Sequence, residues 1–162
     1  MKLYIRQKVF SWNDKFEVYD QWGKTVFNVE GKLLSIGKKL YVFDTNGNEA
    51  AYIEQKVLSF LPRYFIYTNG VRRAEIVKNF TLFRQKYTVA GPGWDVRGDF
   101  TAHEYEITEN GAPVVRISKK WLTFGDCYEL DVPNENNLIL ALCVVLAIDC
   151  ATETDNNNTL TL

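Results

Sequence analysis

The sequence predicts a mainly β protein in which short antiparallel strands surround one apolar helix. Residues 138–148 read Leu-Ile-Leu-Ala-Leu-Cys-Val-Val-Leu-Ala-Ile, without a polar interruption. Residues 3–132, in contrast, alternate polar and apolar side chains in short runs, as half-buried strands do. Asn-Gly dipeptides, a strong signal for tight hairpins, separate several of these runs. Many short strands with frequent turns favour a closed antiparallel barrel or a sandwich.

The apolar run is interpreted as a core helix that spans about residues 134–150. Asn134 follows Pro133 as a candidate N-cap, and Glu135 favours the positive end of a helix dipole. As a helix, the apolar run of eleven residues (138–148) rises about 16 Å, roughly half the hydrocarbon thickness of a bilayer. A helix that is apolar on every side must be enclosed by protein. We therefore expect a single domain over residues 1–150, no transmembrane segment, and a flexible tail over residues 151–162.

About twelve segments are predicted to be strands, with Gly23, Gly31 and Gly37 punctuating the first of them. Residues 89–94 are predicted to form the main irregular connection between two β-rich halves. The Asn-Gly turns lie at residues 46–47, 69–70 and 110–111. The predicted strands cover residues 3–9, 16–19, 25–29, 33–36, 40–43, 51–54, 64–68, 71–77, 86–90, 100–107, 114–118 and 127–132.

Three segments in the second half of the chain resemble a known family. They are residues 94–100 (Trp-Asp-Val-Arg-Gly-Asp-Phe), 117–120 (Ile-Ser-Lys-Lys) and 126–132 (Asp-Cys-Tyr-Glu-Leu-Asp-Val), followed by the apolar helix. In this order they resemble the LURP-one-related family, which shares the tubby C-terminal-like fold with phospholipid scramblases. The resemblance implies a closed antiparallel β-barrel of about twelve strands around a central hydrophobic C-terminal helix. It also implies lipid-related functions, because tubby domains bind phosphoinositide headgroups on a basic face of the barrel.

The charge balance and the cysteines limit the class of function. The chain has 19 Lys and Arg against 20 Asp and Glu, a net charge of −1, which argues against a nucleic-acid partner. The N-terminus alternates polar and apolar residues and is not a signal peptide, so a cytoplasmic location is expected, peripheral to a membrane if the protein docks there. Cys127, Cys143 and Cys150 are interpreted as reduced thiols.

Candidate catalytic and metal-binding residues are few. His103 is the single histidine, and no spacing in the sequence supports its pairing with Cys127 as a nucleophile. Residues 44–49 (Asp-Thr-Asn-Gly-Asn-Glu) resemble the start of a calcium loop, but the position of the bidentate glutamate is Gln55, so a hairpin is favoured. The protein is therefore expected to be non-enzymatic, with no cofactor and no metal.

Three basic doublets are the best candidates for binding an anionic ligand. If hairpin ends cluster at one rim, their cations would attract an anionic phospholipid headgroup by about 1 kcal/mol per residue near a membrane surface. Nearby Glu49, Glu54 and Glu75 would oppose this attraction. The candidate contacts are Lys38, Lys39, Arg72, Arg73, Lys119 and Lys120.

A second hypothesis is a structural or protein-interaction module without a lipid ligand. Such a module would use strand edges and exposed aromatic side chains, with Trp12, Trp22 and Trp121 as examples. A basic rim would favour the lipid hypothesis, whereas an exposed apolar patch would favour a protein partner.

Overall fold

Twelve strands and one C-terminal helix form the molecule. The structure, a computed structural model, describes residues 1–6, 15–34, 37–80, 85–122 and 125–159, with side chains for all of these except 33–34, 37, 80, 85–86, 121–122, 125–126 and 153–159. The strands are β1 (Lys2–Arg6), β2 (Lys15–Asp20), β3 (Thr25–Leu34), β4 (Gly37–Asp44), β5 (Glu49–Gln55), β6 (Arg63–Thr68), β7 (Val71–Phe80), β8 (Gln85–Ala90), β9 (Trp94–Asp99), β10 (Glu104–Glu109), β11 (Ala112–Leu122) and β12 (Gly125–Asp131).

The sheet is a closed antiparallel barrel, as predicted. Each strand pairs with its neighbours in sequence, and β1 pairs with β12 to close the sheet. Alternation along the strands sends one set of side chains inward; in β6, for example, Tyr64 and Ile66 are buried while Phe65 between them is half-buried. The inward side chains and the helix form one hydrophobic core.

The helix fills the barrel. A short 3-10 helix (Glu135–Asn137) is capped by Asn134, whose side-chain oxygen accepts a hydrogen bond from the Asn136 N–H, and it leads into α1 (Leu138–Thr159). Residues 141–151 are all buried. The helix therefore begins close to the predicted start, but it continues to Thr159 rather than ending near residue 150, so the first part of the predicted tail is helical.

The helix also has the length and composition of a membrane span. Among the described residues, one helical segment, Glu135–Thr152, is long enough and apolar enough to cross a bilayer, and 67% of it is buried inside the protein. Its nearest strands are β5, β6 and β7. Because the barrel encloses it, the helix acts as the hydrophobic core of the domain.

The connections between strands alternate between the two ends of the barrel. Those after β2, β4, β6, β8 and β10 lie at what we call the turn end, and those after β1, β3, β5, β7, β9 and β11 lie at the loop end. The helix enters at the turn end, after β12. Its residues 149–152 reach the loop end, where Lys78 Nζ donates to the Ala151 carbonyl at 3.3 Å and Tyr87 Oη lies 2.9 Å from Thr152 Oγ1.

Two of the Asn-Gly turns have the geometry that this dipeptide predicts. The φ angles are +51° and +72° at Asn69 and Gly70, and +51° and +82° at Asn110 and Gly111. Each dipeptide alone joins two strands, as in a type I′ turn. Both turns lie at the turn end.

The third Asn-Gly dipeptide lies in a longer turn between β4 and β5. Asp44 Oδ1 accepts hydrogen bonds from the backbone N–H groups of Asn46 and Asn48, each at 2.8 Å. Hydrogen bonds from Asn48 lower the pKa of Asp44, and the bond from the Asn48 side chain has a larger effect than the bond from its backbone N–H. The predicted hairpin is confirmed, and the carboxylate that would begin a calcium loop is used by the turn itself.

Two strand predictions were wrong, and their errors cancel in the count. Residues 25–29 and 33–36 were predicted as separate strands, but β3 runs through Gly31, which pairs with Leu40 of β4. Conversely, β9 occupies residues that were predicted to be irregular or loop. Residues 100–103, predicted to begin the next strand, form the turn between β9 and β10.

Candidate functional site

The backbones of the three basic doublets do not lie at one end of the barrel. Lys38-Lys39 begins β4 and Lys119-Lys120 lies near the end of β11, so both are at the loop end. Arg72-Arg73 begins β7 and lies at the turn end. Even the two loop-end doublets are apart, because β3, β2, β1 and β12 separate β4 from β11 around the barrel.

Arg72-Arg73 has acidic surroundings at its own end. The connections of the turn end carry carboxylates at Asp44, Glu49 and Glu109. The Arg72 guanidinium lies 4.9 Å from the centre of the Phe65 ring on the outer wall of the barrel, and Lys56 Nζ lies 6.0 Å from the centre of the same ring. The charges at this end, which also include the exposed Lys24, therefore partly cancel.

Lys39 belongs to a charged and aromatic cluster on the outer wall near the loop end. Its Nζ lies 3.2 Å from Glu54 Oε1 on β5 and 5.3 Å from the centre of the Tyr52 ring. The hydrogen bond to Glu54 is the largest contribution that raises the pKa of Lys39. The register places Lys39 opposite Glu54, so Lys38 lies one residue nearer to the connection between β5 and β6, and its side chain leaves β4 on the face opposite to that of Lys39.

That connection, residues 56–62 (Lys-Val-Leu-Ser-Phe-Leu-Pro), exposes apolar side chains. Leu58 and Phe60 are fully exposed and Val57 is 44% exposed. Leu58 also has a φ of +58°, a left-handed conformation that costs a leucine about 1–2 kcal/mol. The loop therefore presents its apolar residues to the surroundings instead of folding them onto the barrel.

Cations flank the exposed apolar residues on both sides in sequence. Lys56 is exposed, and Arg63, which begins β6, forms an ion pair with Glu75 at 2.6 Å. Together with the neighbouring β4 doublet, this sector combines positive charge with apolar surface at one end of the barrel. We call it the β5–β6 patch, and it consists of Lys38, Lys39, Lys56, Val57, Leu58 and Phe60.

The sequence interpretation missed four of these six residues. Only Lys38 and Lys39 were named, because doublets of charge were taken as the signal. The available signal was the run of residues 57–61, four of them apolar, between two alternating segments. A connection that interrupts the period-two pattern with apolar residues is unusual, because loops are normally polar.

A row of tyrosines crosses the outer wall beneath the patch. Tyr41, Tyr52 and Tyr67 are opposite one another on β4, β5 and β6. The rings of Tyr52 and Tyr67 are stacked at 4.5 Å, those of Tyr41 and Tyr52 are 6.0 Å apart, and Lys32 Nζ lies 4.8 Å from the centre of the Tyr41 ring. None of the three tyrosines is buried. The row is an amphipathic surface of aromatic rings and cations.

Lys119 and Lys120 lie near a different feature, the buried end of the helix. Tyr128 Oη donates to Asp149 Oδ2 at 2.5 Å, and His103 Nε2 lies 3.4 Å from Asp149 Oδ1. The His103 and Tyr128 rings are stacked at 4.4 Å. Burial, followed by the charge of Asp149, raises the pKa of Tyr128 well above its usual value. These contacts fasten the helix to the rim of the barrel.

The cysteine and histidine side chains are not arranged for nucleophilic catalysis. Cys127 and Tyr128 point to opposite faces of β12, whereas His103 stacks on Tyr128. Burial raises the pKa of Cys143 to about 12, so this thiol stays protonated at neutral pH. All three cysteines are buried, and none belongs to a disulfide. The part of the chain that the structure describes also contains no group of three or more His, Cys, Asp or Glu side chains able to hold a metal.

An open groove on the outer wall of β9–β12 does not favour an anionic ligand either. Its charged lining includes Arg97 and Arg116, but also Glu104, Glu106, Glu129 and Asp131. Arg116 Nε is paired with Glu106 at 2.7 Å. Because carboxylates outnumber arginines, the β5–β6 patch remains the strongest candidate site in the described residues.

Two of the aromatic residues named for protein interaction are outside the described side chains. Trp12 lies outside the described residues, and Trp121 belongs to β11 but its side chain is not described. Trp22 is 80% exposed, in the connection between β2 and β3 at the turn end. It is thus on the other end of the molecule from the β5–β6 patch.

The closed barrel with a helix as its core defines the class of protein. The chain belongs to the LURP-one-related family, whose match covers residues 1–149. It is 32% identical over 160 residues to the uncharacterized protein YxjI of Bacillus subtilis, covering 99% of each chain. A protein of Arabidopsis thaliana solved by X-ray crystallography has a similar fold, with a TM-score of 0.64 at 15% identity over 92% of this chain and 90% of the plant protein.

Proposed function

We propose that this protein is a non-enzymatic binding domain that docks on an anionic phospholipid surface through the β5–β6 patch. The observation that carries the proposal is the concentration of Lys38, Lys39 and Lys56 around a connection with fully exposed apolar side chains. Headgroup phosphates would be held by these lysines, and the protein would be peripheral to the membrane. The family resemblance supports the proposal, because it implies lipid-related functions.

The electrostatics set the expected strength of this attraction. Each lysine near an anionic membrane surface contributes about 1 kcal/mol, so three lysines give about 3 kcal/mol before competing charges. Glu54 neutralises part of the charge of Lys39. We therefore expect weak, reversible binding that salt screens strongly, since the Debye length is about 8 Å at physiological ionic strength.

A second candidate function is a protein-interaction module, and the tyrosine row favours it. Tyrosine and arginine are enriched in the energetic centres of protein interfaces. Tyr41, Tyr52 and Tyr67 offer contiguous rings that are partly exposed. A module of this kind would bind a protein without any requirement for anionic lipid.

Co-sedimentation with liposomes tests the first candidate. Wild type is mixed with neutral and with anionic vesicles, at low and at physiological salt, and compared with Lys38→Glu/Lys56→Glu at the loop end. The matched control is Lys24→Glu/Arg97→Glu, which changes the charge by the same amount at two exposed positions outside the wall formed by β4–β7. Melting curves check that the variants are folded, and Lys56→Glu alone, at an exposed position, replaces the double variant if that does not fold.

We expect wild type to bind anionic vesicles more strongly at low salt, and neutral vesicles weakly. The loop-end variant should lose at least about tenfold in affinity, as about 1.4 kcal/mol corresponds to tenfold. The Lys24→Glu/Arg97→Glu control should bind like wild type. Equal losses in both variants, or no binding by wild type at either salt, would overturn the proposal and favour the protein-interaction module.

A further inference from the structure

We infer that the connection between β5 and β6 inserts Leu58, Phe60 and Val57 into the interfacial region of a lipid bilayer, as an apolar anchor distinct from the lysines. This inference rests on the proposed function. It adds a second contribution to binding, one that depends on apolar burial and therefore persists when salt screens the charges.

The first argument is the exposure of the loop. Leu58 and Phe60 are fully exposed to water. Folding these side chains onto the barrel would bury them, which is favourable, so their exposure costs free energy. Leu58 additionally holds the left-handed backbone conformation, with a φ of +58°. The loop is thus built to present these side chains outward.

The second argument is the chemistry around the loop, which fits a bilayer interface. Lys56 precedes the apolar residues and Arg63 follows them, so positive charge would lie at headgroup level when the apolar residues are inserted. Tyr41 and Tyr52 lie on the outer wall beneath, and tyrosine is enriched at membrane–water interfaces because its ring is apolar and its hydroxyl polar.

The shape of the patch favours a bilayer over a protein groove as its occupant. The exposed apolar residues Val57, Leu58 and Phe60 belong to one short connection flanked by cations, rather than to a strand of the barrel wall. Apolar side chains with basic residues beside them are typical of segments that enter the boundary between headgroups and acyl chains. The opposite end of the barrel is mixed in charge, with Asp44, Glu49 and Glu109 beside Lys24, Arg72 and Arg73.

The first test removes the apolar side chains and leaves the charges. Leu58→Ser/Phe60→Ser is compared with wild type for binding to vesicles of phosphatidylcholine and phosphatidylserine, at low and at physiological salt. The matched control is Trp22→Ser, which removes an exposed aromatic side chain at the turn end. We expect the loop variant to lose at least about tenfold in affinity at physiological salt and to keep the salt-sensitive attraction, while the control binds like wild type.

The second test locates the loop in the bilayer. An environment-sensitive fluorophore is attached to Ser59→Cys in the loop, and in a second protein to Asn46→Cys at the turn end. The three native cysteines are buried, so labelling is directed to the new position. On addition of anionic vesicles, we expect a blue shift from residue 59 and no shift from residue 46.

The outcomes separate this inference from the proposed function. If wild type does not bind vesicles, both proposals fail. If charge variants weaken binding but Leu58→Ser/Phe60→Ser binds like wild type and the label at residue 59 does not shift, the insertion is wrong and the headgroup attraction stands. A loss in the loop variant together with the blue shift supports insertion.

Discussion

At Gly98 the backbone of β9 passes β10 too closely for a side chain. Its φ is +135°, a conformation that residues with a Cβ rarely adopt. A Cβ at this position would lie 2.5 Å from both the carbonyl oxygen of Glu104 and the Cα of Tyr105. Both contacts involve the neighbouring strand, so relief would require the β9–β10 pair to separate.

The first prediction concerns this glycine. Gly98→Ala should lower the free energy of unfolding by more than Gly23→Ala, since Gly23 also has a positive φ but a Cβ there would meet no atom within 4 Å. The conformational penalty alone is about 1–3 kcal/mol, and Gly98→Ala adds the clash. Urea denaturation of the two variants and wild type measures the difference. Equal losses of unfolding free energy in the two variants would contradict the close approach of Gly98 to the backbone of β10.

The residue scale also explains why His103, the single histidine, was identified in the sequence without its partners. Its contacts include Asp149 on the helix and Tyr128 on β12, which are far from it in sequence. The spacing of residues in the sequence does not indicate these contacts, because they form only when the barrel closes around the helix. The sequence could only indicate that a histidine without paired ligands is structural.

At the scale of elements, the helix was the most predictable part of the chain. A helix formed by an uninterrupted apolar run has no polar face for solvent, so it must be buried on all sides. Its end was not predictable, because residues 151–159 contain no glycine or proline to stop the helix. The apolar run marked the buried part of α1 rather than its full length.

The second prediction tests the helix as core. Leu142→Ala should reduce the free energy of unfolding by about 2–5 kcal/mol, because Leu142 is fully buried within the barrel. Leu138→Ala, the same substitution at a half-buried position of the same helix, should cost less. Denaturant titration monitored by circular dichroism measures both. A larger loss at Leu138 would contradict the enclosed position of the helix.

The strands show how one local error moves a functional residue to the wrong end. The end at which a hairpin lies depends on whether the strand before it is odd or even in number. Splitting β3 at Gly31 added a strand before Arg72, and missing β9 removed one after it. For the hairpins between β3 and β9, the predicted strand numbers are therefore one too high, and counting them places each hairpin at the wrong end of the barrel. The sequence therefore could not say which doublets share a rim.

At the scale of the whole molecule, the two ends of the barrel differ in chemistry. The turn end has tight Asn-Gly turns and carboxylates, and the loop end has the β5–β6 patch with its lysines and exposed apolar residues. The closed barrel and its core could be predicted from periodicity and the family resemblance. The patch could not, because it depends on the ends at which particular connections fall.

The most direct test of this polarity is hydrogen–deuterium exchange of wild type, free and bound to anionic vesicles. Exchange should slow in residues 55–63 and at the start of β4, while the turns at residues 69–70 and 110–111 should be unchanged. Slower exchange confined to the turn end, equal slowing at both ends, or no vesicle-dependent change anywhere would contradict a docking surface at the loop end.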